Sequence, residues 1–290
     1  MGRLPEKLAA LALSAIIGYG PCHASVPGGE GTEVMRPVNS SYMLEIGSSH
    51  IADTYLSPLK YTGWHTGFNY ERMQAMKFSP LRWRQQLLIG AEIDRGENPA
   101  KNGNMLYCTL SASWGMMHLW NVAQDVTVAF GGSAGGHVGG IYNSRNGNNP
   151  AAAKADVTLN ATAYATWHLT LGRMPVMLRW QTSIPLTGVF FSPEYDELYY
   201  EIYLGNRHGL VHGAWSGNYF RWNNLVTADL DFATTRLRVG FRSDILSSEV
   251  NHITTRIFSY AFVIGVSGDW FSVSPRKKLP SGDMKVIYAY

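Results

Sequence analysis

The sequence predicts a transmembrane antiparallel β-barrel of about 12 strands, and three observations lead to this fold class. Long stretches alternate strictly between apolar and polar side chains, as a wall between lipid and a lumen requires. Short and longer connections alternate along the chain, which is typical of periplasmic turns and extracellular loops. The chain also begins with an export signal and keeps a single cysteine after it.

The clearest alternation lies between Ala155 and Ile184. Every second residue from Val157 to Leu171 is apolar, which makes a strand of about fifteen residues where about five or six are usual. After the tripeptide Gly172-Arg173-Met174 the alternation resumes as far as Ser183. This stretch therefore predicts a hairpin of two long strands joined by a tight turn.

The same pattern recurs on both sides of the hairpin. The clearest further strands begin near Leu81, Leu106, Val126, Leu198, Val226, Leu237 and Phe258, and weaker ones begin near Tyr42, Trp64 and Leu210. A helix is the alternative for Trp64 to Phe78. The last strand ends at Trp270-Phe271, where it closes the barrel against the first, although Val286 to Tyr290 is left open as an extra or replacement last strand.

The predicted connections separate into two groups. Short turns are expected at 79–80, 119–124, 172–173, 205–209 and 233–234. Mostly longer loops are expected at 48–60, 94–104, 131–154, 185–197, 216–223 and 243–254. With both ends of the barrel on the periplasmic side, this order fits twelve strands.

Composition excludes several classes of protein. Of the 290 residues, 46% are hydrophobic and 16% charged, which excludes general disorder. The longest apolar run, Leu8 to Ile17, is too short to span a bilayer as a helix. A net charge of +3, without a basic cluster among aromatic residues, gives no indication of a nucleic-acid partner. We expect no cofactor and no metal, because there is neither a nucleotide-binding glycine loop before a helix nor a compact set of ligands.

Four segments organise the chain. Residues 1–24 have the charges, apolar core and small-residue end of a signal peptide. Residues 25–39 form a leader, 40–271 the barrel and 272–290 a C-terminal tail. Cleavage would remove Cys22 and leave Cys108 alone, so the exported chain has no internal disulfide. The expected partners are outer-membrane lipid and the outer-membrane assembly machinery.

The lumen face is expected to carry charge, since Arg in lipid costs about 2–4 kcal/mol at the bilayer midplane. A barrel of this size fills with side chains, so most of these groups should form a structural polar core. The set comprises Arg82, Arg84, Glu92, His168, Arg179, Gln181, Glu201, Asp229, Asp231, Arg236 and Arg238.

Three predicted extracellular segments, Ser48 to Pro58, Gly139 to Ala151 and Thr187 to Ile202, are candidate ligand sites because function concentrates in loops. For the asparagine-rich segment, tight-turn chemistry is an equal alternative. The aromatic and acidic cluster of the third segment is expected to line the outer half of the lumen. Candidate residues for ligand binding or lumen lining are Arg145, Asn146, Asn149, Arg179, Gln181, Glu194, Tyr195, Tyr199 and Glu201.

The segments YLSPLKYTGWHTGFNYER, IYNSRNGNNPA and PLTGVFFSPEYDELYYEI together resemble domain-of-unknown-function family 3316, secreted proteins of Gram-negative bacteria. The resemblance extends from about Tyr42 to Phe271. It implies one intact domain and no particular reaction. With the signal peptide, it indicates the outer membrane of a Gram-negative bacterium as the location.

Three functions follow from these patterns. The first is a non-enzymatic outer-membrane barrel that acts in binding, as a structural protein or as a narrow conduit. The second is a phospholipase-like barrel, whose weak candidates are His168, His252 and Thr254, since His-x-Ser occurs only at His23 within the signal. The third is a secreted soluble β-sandwich that binds other molecules.

Overall fold

The computed structural model describes residues 33–195, 197–205, 209–232, 235–270 and 284–290. Its elements are β1 (Glu33–Met35), β2 (Val38–Asp53), β3 (Ser57–Ala75), β4 (Trp83–Glu97), β5 (Asn104–Ala123), β6 (Val126–Asn143), β7 (Ala151–Leu171), β8 (Met174–Phe191), α1 (Tyr199–Leu204), β9 (Val211–Ala214), β10 (Tyr219–Phe232), β11 (Thr235–Val250), β12 (Ile253–Trp270) and β13 (Met284–Val286). The predicted signal peptide lies outside the described residues. No described helix is long and apolar enough to cross a membrane.

Ten antiparallel strands close into a barrel. Each strand from β2 to β8 pairs with the next, β8 pairs with β10, and β12 closes the ring against β2. The paired residues can be followed from strand to strand around the barrel, starting at Phe262 of β12. One direction arrives at Ala153 of β7, and the other arrives at Ala165 of the same strand. This offset of twelve residues requires strongly tilted strands, in the range of about 35–45° found in outer-membrane barrels.

The two faces of each strand meet different surroundings. On β12 the inward residues Ile257, Ala261 and Val263 are buried, whereas Phe262 is 76% exposed and Ile264 53%. The same outward band of large apolar side chains continues around the wall, for example at Leu44, Phe68, Leu110, Val157, Trp180 and Phe241. Such a continuous apolar surface is matched by lipid rather than by water. The molecule is a transmembrane antiparallel β-barrel, as predicted, and not the two-sheet sandwich of the third hypothesis.

The barrel has ten strands where the sequence predicted about twelve. The predicted strand from Leu198 to Leu204 is the short helix α1, which buries none of its residues and ends at Gly205 with a φ of 113°. The alternation of residue types in this segment therefore does not correspond to the two faces of a strand. The predicted strand near Leu210 is the short strand β9. Both β9 and β10 pair with the same edge of β8, because Gly188 lies opposite Ala214 of β9 and Ser183 lies opposite Asn223 of β10. The two strands therefore occupy a single strand position in the barrel.

The hairpin that the sequence predicts most clearly is confirmed as β7 and β8, the sixth and seventh strands of the barrel. Gly172 takes a φ of 66° at its turn, a conformation that favours glycine. The stretch from Trp64 to Phe78 is strand as far as Ala75, and its helical alternative is wrong.

We call the end of the barrel at which β2 begins and β12 ends the inner end, and the opposite end the outer end. The longest connection, 192–218, lies at the outer end as expected. Other expected outer loops are shorter than predicted because the strands continue into them. Residues 131–143 belong to β6 and 151–154 to β7, and β11 and β12 are joined by residues 251 and 252 alone.

The segments flanking the barrel pair with each other. Met35 lies opposite Val286 in the parallel pair of β1 and β13, and Ile287 N donates to Met35 O at 2.9 Å. The end of the chain therefore adds no strand to the barrel sheet. The barrel strands extend from Val38 to Trp270, close to the expected range of 40–271.

Strand β6 approaches β5 closely through glycine. A Cβ on inward-facing Gly131 would lie 2.0 Å from Met116 O, a distance that no side chain tolerates. The adjacent Gly132 faces outward, and the nearest atom to a Cβ there is Asn160 O at 3.6 Å. Glycine is thus required at position 131 by the close approach of the β5 backbone, whereas it is not required at position 132.

We expect Gly131→Ala to lower the free energy of unfolding by about 1–3 kcal/mol, because the methyl group forces the backbones of β5 and β6 apart. Gly132→Ala is the matched control and should stay within about 0.5 kcal/mol of the unmodified chain. Urea unfolding in micelles, followed by tryptophan fluorescence, measures both. Equal stability of the two variants would contradict the close approach.

Candidate functional site

Side chains from the wall block the lumen at several levels along its length. At the outer end an apolar layer, here called the outer apolar cluster, crosses the barrel. Its members come from strands on all sides, and the Phe190 ring packs against that of Tyr219 at an angle of 39°, with ring centroids 5.0 Å apart. The cluster comprises Ile51, Leu56, Tyr61, Met105, Tyr107, Ile141, Ala152, Phe190, Ala214, Tyr219, Leu246 and Ile257. Such a layer excludes water from the groups beneath it.

Beneath this layer lies a first set of buried charges, the outer ion-pair cluster of Glu45, His65, Glu92, Asp94, Arg221, Arg242 and Asp244. Arg221 contacts Asp244 through Nε and Nη2, at 3.0 and 2.9 Å. Arg242 Nη1 donates to Glu45 Oε1 at 2.8 Å. His65 Nδ1 lies 2.5 Å from Asp94 Oδ1. Each charged group thus has an opposite partner, as burial demands.

A second set, the inner ion-pair cluster, consists of Glu71, Arg179, Asp229 and Arg238. Glu71 accepts from Arg179 Nη2 at 2.6 Å and from Arg238 Nη1 at 2.7 Å, and all three residues are buried. Arg238 also forms a two-pronged ion pair with Asp229, with both contacts at 2.7 Å. The charges of two guanidinium groups therefore balance those of two carboxylates. These four side chains connect β3, β8, β10 and β11 across the lumen.

The C-terminal segment, residues 284–290, closes the inner end. The Tyr290 hydroxyl accepts a hydrogen bond from Arg179 Nη1 at 2.7 Å. Arg84 Nε donates to Ala289 O at 2.8 Å, and Ala289 is fully buried. Apolar side chains from the wall surround this end of the chain, among them Met73, Met117, Leu119, Ala129 and Tyr164.

Cavities remain between these layers and at the inner mouth. An internal chamber of about 90 Å³ is lined by small polar residues such as Asn69, Ser111, Ser113, Asn160, Ser183 and Asn223. It has room for several water molecules. A wider inner vestibule of about 710 Å³ lies against Asp125, Trp167, His168, Arg236, Tyr288 and Tyr290. Among the described residues, no group of three or more His, Cys, Asp or Glu could hold a metal ion.

Of the candidate residues, only Arg179 and Gln181 lie in the lumen core. Gln181 joins the inner ion-pair cluster, because its side chain contacts Arg179 and its Nε2 donates to Gln86 Oε1 at 3.1 Å. Both residues hold the wall together rather than line an open passage.

Two of the candidates, Asn149 and Tyr199, meet at the outer rim through Tyr55. Tyr55 donates to Glu197 O at 2.8 Å and accepts a hydrogen bond from Asn149, and its ring meets that of Tyr199 edge to face at 5.9 Å. The Tyr199 hydroxyl accepts from Ala153 N at 2.6 Å. Burial raises the pKa of Tyr55 and of Tyr199, so both hydroxyls remain protonated at neutral pH. The β2–β3, β6–β7 and β8–β9 connections are joined here.

The remaining rim candidates lie apart from the lumen. Asn146 closes its own turn by accepting from Asn149 N at 2.9 Å, and it donates to Leu56 O at 3.2 Å. This is the turn chemistry that the sequence left as an alternative. Arg145, Glu194, Tyr195 and Glu201 are exposed. Glu201 accepts from Leu198 N at 3.1 Å and so caps α1.

The hydrolase candidates lie at opposite ends of the barrel. His168 is exposed at the inner vestibule, whereas exposed His252 forms the outer turn between β11 and β12 with a φ of 60°. Thr254 uses its backbone N–H to bind Thr54 Oγ1 at 2.8 Å. Among the described residues, neither of these histidines has a hydroxyl hydrogen-bonded to its ring.

Sequence reasoning missed the acid at the centre of the lumen. Glu71 lies two residues from Asn69 and six from His65 on the inward face of β3, a pattern that is visible in the sequence once that strand is recognised. Tyr290 carried no such signal, because its contact with Arg179 depends on where the C-terminal segment folds back.

Comparison with protein families gives one result. The family model described as "Protein of unknown function (DUF3316)" matches residues 9–277. The chain belongs to this family. The resemblance drawn from the sequence is therefore confirmed. No curated protein matches the DUF3316 chain.

Several solved barrels share a general likeness with it. The transport unit of the autotransporter AIDA-I from Escherichia coli has 9% sequence identity and a TM-score of 0.42, over 92% of this chain and 97% of that one. The outer membrane protease OmpT from Escherichia coli has 5% identity and a TM-score of 0.37, over 81% and 97%. The COG4313 outer membrane channel from Pseudomonas putida F1 has 10% identity and a TM-score of 0.36, over 85% and 100%. Nothing about the activity of this chain follows from similarity at this level.

We expect Glu71→Gln to lower the free energy of unfolding by about 3–5 kcal/mol, because it leaves two buried guanidinium groups with one carboxylate. Adding Arg179→Gln should recover part of the lost stability, since the positive charge of Arg238 is then balanced by the negative charge of Asp229. Exposed Glu249→Gln is the control, with an effect within about 0.5 kcal/mol. Urea unfolding measures all three, and additive losses in the double variant would contradict charge balance as the cause.

Proposed function

We propose that this DUF3316 protein is a non-enzymatic outer-membrane barrel that works with its lumen closed, as a binding or structural protein that presents its outer rim at the cell surface. One observation carries the proposal, namely that three successive layers fill the lumen. These are the outer apolar cluster, a charged layer made of the two ion-pair clusters, and the C-terminal segment. A hydrated ion would have to displace all three to pass.

The proposed location is the outer membrane of a Gram-negative bacterium, after removal of residues 1–24. The apolar outward band supports a membrane location. The charged start, apolar core and small-residue end of the N-terminal segment support export. We propose that the outer-membrane assembly machinery inserts the barrel. The aromatic residue Trp270 at the end of β12 supports this, because it resembles the aromatic-ended assembly signal of outer-membrane barrels.

A gated narrow conduit is the second candidate, and the C-terminal segment is the observation that favours it. This segment lies outside the barrel sheet, and its side chains border both the inner vestibule and the inner ion-pair cluster. Its withdrawal would enlarge the vestibule up to Arg179. The outer apolar cluster would still close the opposite end.

We expect the full-length protein to give no ion conductance in planar lipid bilayers, because the lumen is filled. A variant that lacks residues 284–290 should also stay silent, since the outer apolar cluster remains. An open porin in the same bilayers confirms that the assay detects channels. Conductance steps in the full-length protein would refute the closed lumen, and steps in the truncated variant alone would establish the gated conduit.

A further inference from the structure

An apolar pocket of about 510 Å³ lies on the outside of the barrel near the outer rim. Its floor is formed by β5, β6 and β7, and Tyr199 of α1 forms one wall. The lining residues on the strands are almost entirely apolar: Leu106, Cys108, Ile141, Tyr142 and Ala151 to Ala153. Ile141 and Ala152 also belong to the outer apolar cluster, whereas Leu106, Tyr142 and Ala153 are exposed on the outward face of the wall.

The floor of the pocket continues the lipid-facing surface. Leu106 and Tyr142 are exposed on the outward faces of β5 and β6 and lie opposite each other in the register. Four residues further towards the inner end on each strand, exposed Leu110 and Val138 are also paired. A hydrocarbon chain could therefore pass from the bilayer into the pocket without crossing a polar surface.

Tyr199 holds the pocket in shape. Strand β8 ends its pairing with β7 at Asp156, so residues 151–155 extend past it and leave backbone groups at a sheet edge. The Tyr199 hydroxyl covers this edge by accepting from Ala153 N, and its ring is fixed by Tyr55. The pocket is thus formed before any ligand enters, which lowers the entropic cost of binding.

Positive charge lies beside the pocket. Arg95 of β4 is exposed and occupies the same row of the sheet as Leu106, Tyr142 and Ala151. Exposed Arg145 lies over the neighbouring turn, since a Cβ on Gly103 would be 2.5 Å from its Cδ. Neither arginine has an ion-pair partner among the described residues. An anionic headgroup next to the apolar pocket would meet both.

We propose that this pocket binds one acyl chain of an anionic membrane lipid from the outer leaflet, whose phosphate contacts Arg95. The inference goes beyond the proposed function, because it concerns the outside of the wall and holds whether the lumen is closed or gated. It specifies which lipid partner the barrel retains and where.

Native mass spectrometry of the full-length protein, released from micelles that contain phosphatidylglycerol or phosphatidylcholine, tests the proposal. We expect one phosphatidylglycerol to be retained in preference to phosphatidylcholine. Ala153→Phe fills the pocket and should reduce retention more than about tenfold, because several methylene contacts are lost. Arg95→Gln should reduce retention about fivefold.

Two matched variants are controls. Ala134→Phe adds the same ring at an exposed position on β6, and Arg256→Gln removes an exposed arginine from β12 on the other side of the barrel. Both should retain phosphatidylglycerol as the unmodified protein does. Equal retention of the two lipids, or unchanged retention in Ala153→Phe, would overturn the proposal.

Cys108 provides a second measurement that does not depend on how well the variants fold. Its thiol lies in the pocket, so bound phosphatidylglycerol should slow its modification by N-ethylmaleimide several-fold, as mapped by peptide mass. A modification rate that phosphatidylglycerol leaves unchanged would also overturn the proposal. Both readouts are independent of the conductance experiment, so the failure of one proposal is distinguishable from that of the other.

Discussion

The shared carboxylate of Glu71 is the interaction on which the rest of the lumen depends. It lies fully buried between Arg179 and Arg238, and Asp229 completes the balance on the far side of Arg238. Guanidinium groups at the centre of a membrane protein are tolerated only when they are paired and screened from lipid. Each strand that contributes to this cluster must therefore face its neighbour in one register, because a slip by one residue would turn the charge towards lipid.

The layers above and below this cluster follow from the same requirement. Buried ion pairs are strong only where water is excluded, and the outer apolar cluster excludes water from one side. The C-terminal segment does so from the other side, and it adds the Tyr290 ring at 5.1 Å from the guanidinium carbon of Arg179. Closure of the lumen and stability of the wall are therefore one property.

The alternating pattern was sufficient to predict the fold, because lipid and lumen impose opposite demands on neighbouring residues. The prediction was right for β7 and β8, and in β7 fifteen residues alternate without a break. It failed at residues 198–204, where every second residue is apolar by chance and the segment is a helix that has no buried residue. Arg179 and Gln181 were identified as lumen residues only because they occupy the polar positions of the alternating pattern. Their partners Glu71 and Tyr290 were not, because contacts across a barrel depend on tilt and stagger, which no single strand encodes.

The pairing of β1 with β13 has a consequence for the order of assembly. It joins Glu33, the first described residue, to Met284, and it is the contact through which the last residues reach Arg179 and Arg84. Loop closure over such a distance becomes favourable only after the intervening chain is compact. We expect the wall to close between β12 and β2 before this pairing forms, with Arg179 still open to water at the inner end. The last step of folding is then the docking of the chain end into a barrel that already exists.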